Sequence, residues 1–381
     1  MENEDRLGQL LARSDAKNWQ ATASEWKKQG GKVVGLLCSN VPEEVLTAAG
    51  IFPVRLMKLA HPTTPLSDAY RPVHTDVYYN NVLESVLRDE LGMLDGIIAT
   101  NRDDDMRRLI DAIDSVKKFP LVHIMHCPHI TSETGVKRFT QEIGHLLEHL
   151  EALWGVKVST AALRKAVKVQ NQTRKLIQSV YLLKKGKVLP VTGAETLRLC
   201  LAAMSMPKAS FNEELEALLP HIKQRKARFA KATPRLMVTG DVLDEPAFVG
   251  LVEDAAGPVV IDDLDLGYRY FWGQTDDADK DIITSVARYY LTRPSAPRFP
   301  AWEEQVKHMI ALAKGYKAEG VVELGLRNSL PTEYRSPSVA RDLREAGIPF
   351  LSLRVEYAPS SIEQMRTRVE AFGESLRGKA G

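Results

Sequence analysis

Cysteine is scarce, with three in 381 residues, at positions 38, 127 and 200. An odd and widely scattered set excludes a disulfide framework and points to a reducing compartment, and none of the three belongs to a CxxC clip. Long apolar runs are also missing: no stretch approaches the roughly 18 residues that a membrane span requires. The opening MENEDRLGQLL is too polar for a secretion signal, so the expected location is the cytoplasm, with no membrane partner. Charge of one sign is absent as well. Lys and Arg number 51 against 49 Asp and Glu, a net +2, so no global field favours nucleic acid. Neither a GxxxxGK[ST] phosphate loop nor a GxGxxG fingerprint occurs, and no Ser–His–Asp order suggests a hydrolase.

What is present is an alternating pattern. KVVGLLCSNVPEEVLTAAGIFPVRL (32–56) reads as strand, turn, short helix and strand, with Val33, Val34, Leu36 and Leu37 as a run for a strand buried on both faces. Asn40, Pro42 and Glu43 read as a helix cap and Gly50 as its stop. Residues 3–28 read as one amphipathic helix carrying Leu7, Leu10, Leu11 and Trp19. Further strands are expected at 95–100, 120–126, 235–240, 258–262, 320–325 and 349–355. Between the two sets lies a helical stretch marked by Phe139, Ile143, Leu146, Leu147 and Leu150, with Leu182 and Leu183 on a second stripe. A last helix over 361–376 turns Ile362, Met365, Val369 and Phe372 to a core. The expected fold is α/β, with two Rossmann-like parallel-sheet units around a cleft and a helical middle. The divisions are 1–31 (N-terminal helix), 32–132 (first unit), 133–232 (helical segment) and 233–381 (second unit).

Parallel sheets place their sites at the carboxyl ends of the strands. The loops that feed such a cleft are 38–44, 74–80, 100–108, 126–130, 239–246, 262–270 and 325–335. Cleft candidates on them are Cys38, Ser39, Asn40, Glu44, Asp103, His126, Tyr268 and Arg269. Each has a plainer reading: Asp103, Asp104 and Asp105 suit a helix N-terminus, and Asp262, Asp263 and Arg269 suit a structural ion pair or a grip on an anionic phosphate. His123, His126, Cys127 and His129 are dense in metal-capable groups, yet strand alternation sends His123 and His126 to opposite faces. Cys200, inside ETLRLCLAAM, reads as a small buried hydrophobe.

Four stretches together resemble one family. CSNVPEE with AAGIFPVRL, DGIIATNRDDDMRRL (95–109), VVIDDLDLGYRYFW (259–272) and AGIPFLSLRVEY with SSIEQMRTRVEAFGE (346–374) are similar, in order, to the 2-hydroxyacyl-CoA dehydratase and benzoyl-CoA reductase family. The resemblance implies a [4Fe-4S] cluster held by three loop cysteines, two paired paralogous subunits and an ATP-hydrolysing iron–sulfur activator that delivers electrons singly. At the positions it assigns to those cysteines this chain has Asp76, Asp103 and Ser329, and Asp265 where relatives often carry another. Hard oxygen donors hold such a cluster weakly. The expectation is therefore a subunit with no metal of its own, apart from a minor alternative through Cys38 and Cys127, whose cluster sits on a paralogous partner and whose ATP and further [4Fe-4S] sit on the activator. The implied substrate is an acyl-CoA, and the implied reaction is one-electron reduction of an aromatic acyl-CoA. That preference comes from DDLDLGYRYFW and the RPSAPRFP that follows (293–300). The rivals are a 2-hydroxyacyl-CoA dehydratase component and a non-catalytic CoA-ester-binding scaffold.

Overall fold

The computed structural model describes residues 2–72, 74–117, 119–229, 233–294, 302–357 and 362–379. Residues 295–300, most of the RPSAPRFP segment, lie outside it. Two helices, α1 (Glu2–Ala12) and α2 (Ala16–Lys28), replace the single one expected over 3–28. The chain breaks where the Ser14 hydroxyl bonds the Leu11 carbonyl at 2.8 Å and Asp15 takes an extended backbone. Leu7, Leu10 and Trp19 are nonetheless buried as the spacing requires.

The first unit follows as β1 (Lys32–Leu36), α3 (Glu43–Ala48), β2 (Ile51–Arg55), α4 (Pro65–Asp68), α5 (Val77–Leu87), β3 (Gly96–Thr100), α6 (Asp104–Val116) and β4 (Leu121–Met125). The middle comprises α7 (Glu133–Trp154), α8 (Thr160–Leu183), α9 (Gly193–Ser205) and α10 (Lys208–Gln224). The second unit holds β5 (Leu236–Gly240), α11 (Pro246–Ala255), β6 (Val259–Asp263), a 3₁₀ turn (Tyr268–Phe271), α12 (Ile282–Thr292), α13 (Trp302–Tyr316), β7 (Gly320–Leu326), α14 (Leu330–Glu345), β8 (Phe350–Val355) and α15 (Ile362–Lys379).

Both sheets are four-stranded and wholly parallel, in the orders β2-β1-β3-β4 and β6-β5-β7-β8. All eight strands thus fall where the apolar runs place them. In each sheet the chain leaves the first strand to one side and later crosses to the other, so a switch point opens between β1 and β3 and again between β5 and β7. In the middle, Phe139, Ile143, Leu146 and Leu150 are buried and Gly155 ends α7 in the left-handed conformation. Thr192 and Glu195 form a capping box for α9. Leu182 departs from expectation: it stands 55% exposed, one residue off the inward stripe of α8.

Candidate functional site

The loops after β1, β3, β5 and β7 meet across the gap between the sheets, and what they bring there is a buried lattice of charges. After β1, the Ser39 hydroxyl donates to Asp265 Oδ1 at 2.9 Å. At the end of β2, Arg55 is fully buried and donates to the Leu36 carbonyl (2.9 Å) and the Tyr78 hydroxyl (2.8 Å), with Asp265 Oδ2 at 3.5 Å. After β3, Arg102 stands 3.5 Å from Asp103 and 3.7 Å from both Asp241 and Asp265. After β5, Asp241 accepts from Ser329 at 2.8 Å and from Thr332, and Arg335 lies 3.8 Å away. Beside it, Arg269 is tied to Asp263 at 3.0 and 2.8 Å. Gly267 makes the turn into Arg269 possible, because a Cβ there would come within 2.0 Å of Asp262 Oδ1.

Charges this deep survive only in pairs, and the acid strengths follow the pairing. Burial alone would push Asp241, Asp263 and Asp265 up. Arg335 and Arg102 bring Asp241 below the usual carboxylate range, Arg269 does so for Asp263, and Arg102 with Arg55 for Asp265. Asp76 goes the other way. Burial, with Asp241 and Asp103 nearby, lifts it to about 7 despite the N–H of Tyr78 and the charge of Arg102.

A second lattice ties the first unit to the helical middle. Glu44 pairs with Arg174 at 2.6 Å and accepts from the Tyr290 hydroxyl at 2.7 Å, while Glu43 pairs with Lys208 at 2.7 Å and accepts from the Tyr270 hydroxyl. The capping roles expected of Asn40 and Glu43 are overturned here. Pro42 is the N-cap of α3, and Asn40 Nδ2 donates to the Tyr290 carbonyl at 3.1 Å. Long-range carboxylate and amide pairing outcompetes a local cap.

Of the other candidates, Asp103 caps α6 through the Met106 N–H (2.7 Å) and also accepts from the Tyr79 hydroxyl (2.8 Å). Cys38 Sγ lies 3.3 Å from Thr100 Oγ1, and the backbone N–H of Cys127 donates to Asn101 at 2.8 Å. Strand β3 lies between β1 and β4, the strands that the two cysteines follow, and no disulfide joins them. His126 is exposed, its N–H on Glu142 at 3.0 Å. Tyr268 packs against Tyr181, Trp272 and Tyr316 in an aromatic cluster, its backbone N–H on Asp262 at 2.8 Å. Arg269 is turned wholly inward, as the ion-pair reading has it. Among the described residues no group of three or more His, Cys, Asp or Glu is arranged to hold a metal ion, and no helix is long and apolar enough to cross a membrane.

The expected cleft loops include 100–108, 239–246 and 325–335, but Arg102, Asp241 and Arg335 within them, and Arg55 outside them, were not singled out. Their one signal is position, at or just past the carboxyl end of a strand or in the helix that follows. At the mouth between the sheets a polar cavity of about 310 Å³ is lined by His61, Asn80, Asn81, Arg327, Glu356 and Tyr357.

Comparison with known proteins covers nearly the whole chain. The (R)-phenyllactyl-CoA dehydratase beta subunit of Clostridium sporogenes is 24% identical over 92% of this chain and 93% of its own. A benzoyl-CoA reductase subunit of Thauera aromatica is 24% identical over 93% and 94%. The beta subunit of (R)-2-hydroxyglutaryl-CoA dehydratase from Acidaminococcus fermentans is likewise 24% identical over 93% and 94%. The pattern of the 2-hydroxyglutaryl-CoA dehydratase D-component matches residues 38–376, from the cysteine that ends the first strand run to the last turns of α15, and the chain belongs to that family.

Proposed function

We propose that this chain is one subunit of a multi-subunit enzyme acting on a CoA thioester, and that it builds a wall of the assembly while a cysteine-bearing paralogue holds the [4Fe-4S] centre. The observation that carries this reading is the state of the three matched positions. Asp103 caps a helix, Ser329 donates to Asp241 and Asp76 accepts from the Tyr78 N–H. All are oxygen donors already engaged, and iron in such clusters takes soft thiolates, so these residues do not fit the group. The relatives' own names, each that of one subunit of a larger enzyme, support a role as one component among several.

The specific reaction we propose is one-electron reduction of an aromatic acyl-CoA, fed by a ferredoxin and an ATP-hydrolysing activator. Dehydration of a 2-hydroxyacyl-CoA is the second reading, favoured by the names of two relatives at the same identity. Anaerobic co-purification with the partner tests the first claim. One cluster per heterodimer, by iron and acid-labile sulfide, is the expected count, and a second would refute it. Assay of the reconstituted complex for net dearomatisation against net loss of water separates the two reactions. A chain that purifies alone as a colourless dimer, and gains no activity with any paralogue, would leave a scaffold instead.

A further inference from the structure

We infer that Arg102 is a resident ligand: its guanidinium occupies the point where the two switch points meet, so that the inter-sheet cleft of this chain is closed from within and the CoA thioester reacts on the partner's side. The inference rests on the reading of this subunit as iron-free. In open parallel sheets the crevice at a switch point is where small molecules bind. Here two such crevices face each other, and one side chain reaches into both. Arg102 leaves the β1/β3 switch point and stands within 3.7 Å of Asp241 and Asp265, from the loops after β5 and β6, and 3.5 Å from its neighbour Asp103. Asp76 also lies within its electrostatic reach. The three matched positions are thus linked to one guanidinium: Asp103 directly, Ser329 through Asp241 at 2.8 Å, and Asp76 through its charge.

The fit is that of a cation in an anionic box. The residue is 7% exposed, and Nε and Nη1 find their carboxylates at ion-pair distances without a hydrogen-bond partner among the described atoms. Charge from several loops holds the group in place. Asp103 from the first unit and Asp241 and Asp265 from the second converge on it, and Arg55 and Arg335 reach Asp265 and Asp241 at only 3.5 and 3.8 Å, so without Arg102 the box would be short of positive charge.

An internal guanidinium can be removed and supplied from outside. Arg102→Ala should melt several degrees lower, and millimolar guanidinium, far below denaturing concentration, should restore part of the loss, whereas equimolar urea, its uncharged counterpart, should not. The native chain should gain nothing from either. A folded Arg102→Ala chain that guanidinium does not rescue would overturn the assignment. A second measurement stands even if that variant fails to fold. The triple variant Asp76→Cys, Asp103→Cys, Ser329→Cys, with Arg102 retained, is reconstituted anaerobically with iron and sulfide. No stoichiometric cluster is expected, because the guanidinium fills the space, and uptake of four irons per chain would refute the inference. Iron found in the native chain would instead defeat the proposed function, so the two failures are distinguishable.

Discussion

The two units share one topology and differ in the charge that they present to each other. The first unit's edge carries the cations Arg55, Lys58 and Arg102 and the neutral donor Ser39, with Asp76 and Asp103 beside them. The second's carries acids, Asp241, Asp244, Asp263 and Asp265, with Arg269 and Arg335 balancing them from behind. Lys58 repeats the pattern at the rim, its N–H on Asp244 at 2.5 Å and its Nζ on Glu245 at 2.8 Å. Complementary edges make the halves a pair that cannot slide, because each displaced charge would be left alone in low dielectric.

The sharpest break should come from the first unit's deepest cation. Arg55→Met strips Asp265 of one partner and takes one of two donors from the Leu36 carbonyl, so a loss of about 3–5 kcal/mol is expected in chemical denaturation. Arg174→Met should cost a similar amount by leaving the Glu44 carboxylate without its cation, with the Tyr290 hydroxyl still on it. A smaller effect should follow from Thr192→Ala, which removes the capping box in the helical middle, outside the charged seam, at about 1 kcal/mol. Lys58→Ala, at the partly exposed rim, should cost less still, below about 1 kcal/mol. The exposed Arg288 and Glu133 pair should give no resolvable change when Arg288 is replaced.

Asp76 sharpens the comparison by its pH profile. An ordinary Asp releases its proton near 4 in the unfolded chain, about three units below the folded value of about 7. Between those values the folded chain holds a proton that the unfolded one has lost, so this residue makes stability fall as pH rises from about 4 to 7 and stay level above. Asp241, Asp263 and Asp265, held low, act oppositely and lose stability as the medium turns acid. Asp76→Asn should flatten the first slope and leave the second, read from denaturation midpoints across that range.

The strands were legible because a buried parallel strand needs a short apolar run, and VVGLL, GIIAT, LMVTG and GVVELG have little else to be. Leu182 misled because a helical stripe drifts by one position over a long helix. The charged seam was illegible for a different reason. Arg102 and Arg335 look like any surface arginine until strand order brings the loop after β3 against those after β5 and β7, and strand order is a property of the whole chain. Asp103 was half legible: its capping role is local and readable, but its place beside Arg102 is not.

Helix α1 has a consequence for biosynthesis. It docks on α9 and α10, and its Glu4 meets Arg225 at 3.0 Å across 221 residues of chain. On the ribosome this helix is therefore made long before its seat, with Leu7 and Leu10 uncovered until α9 and α10 emerge.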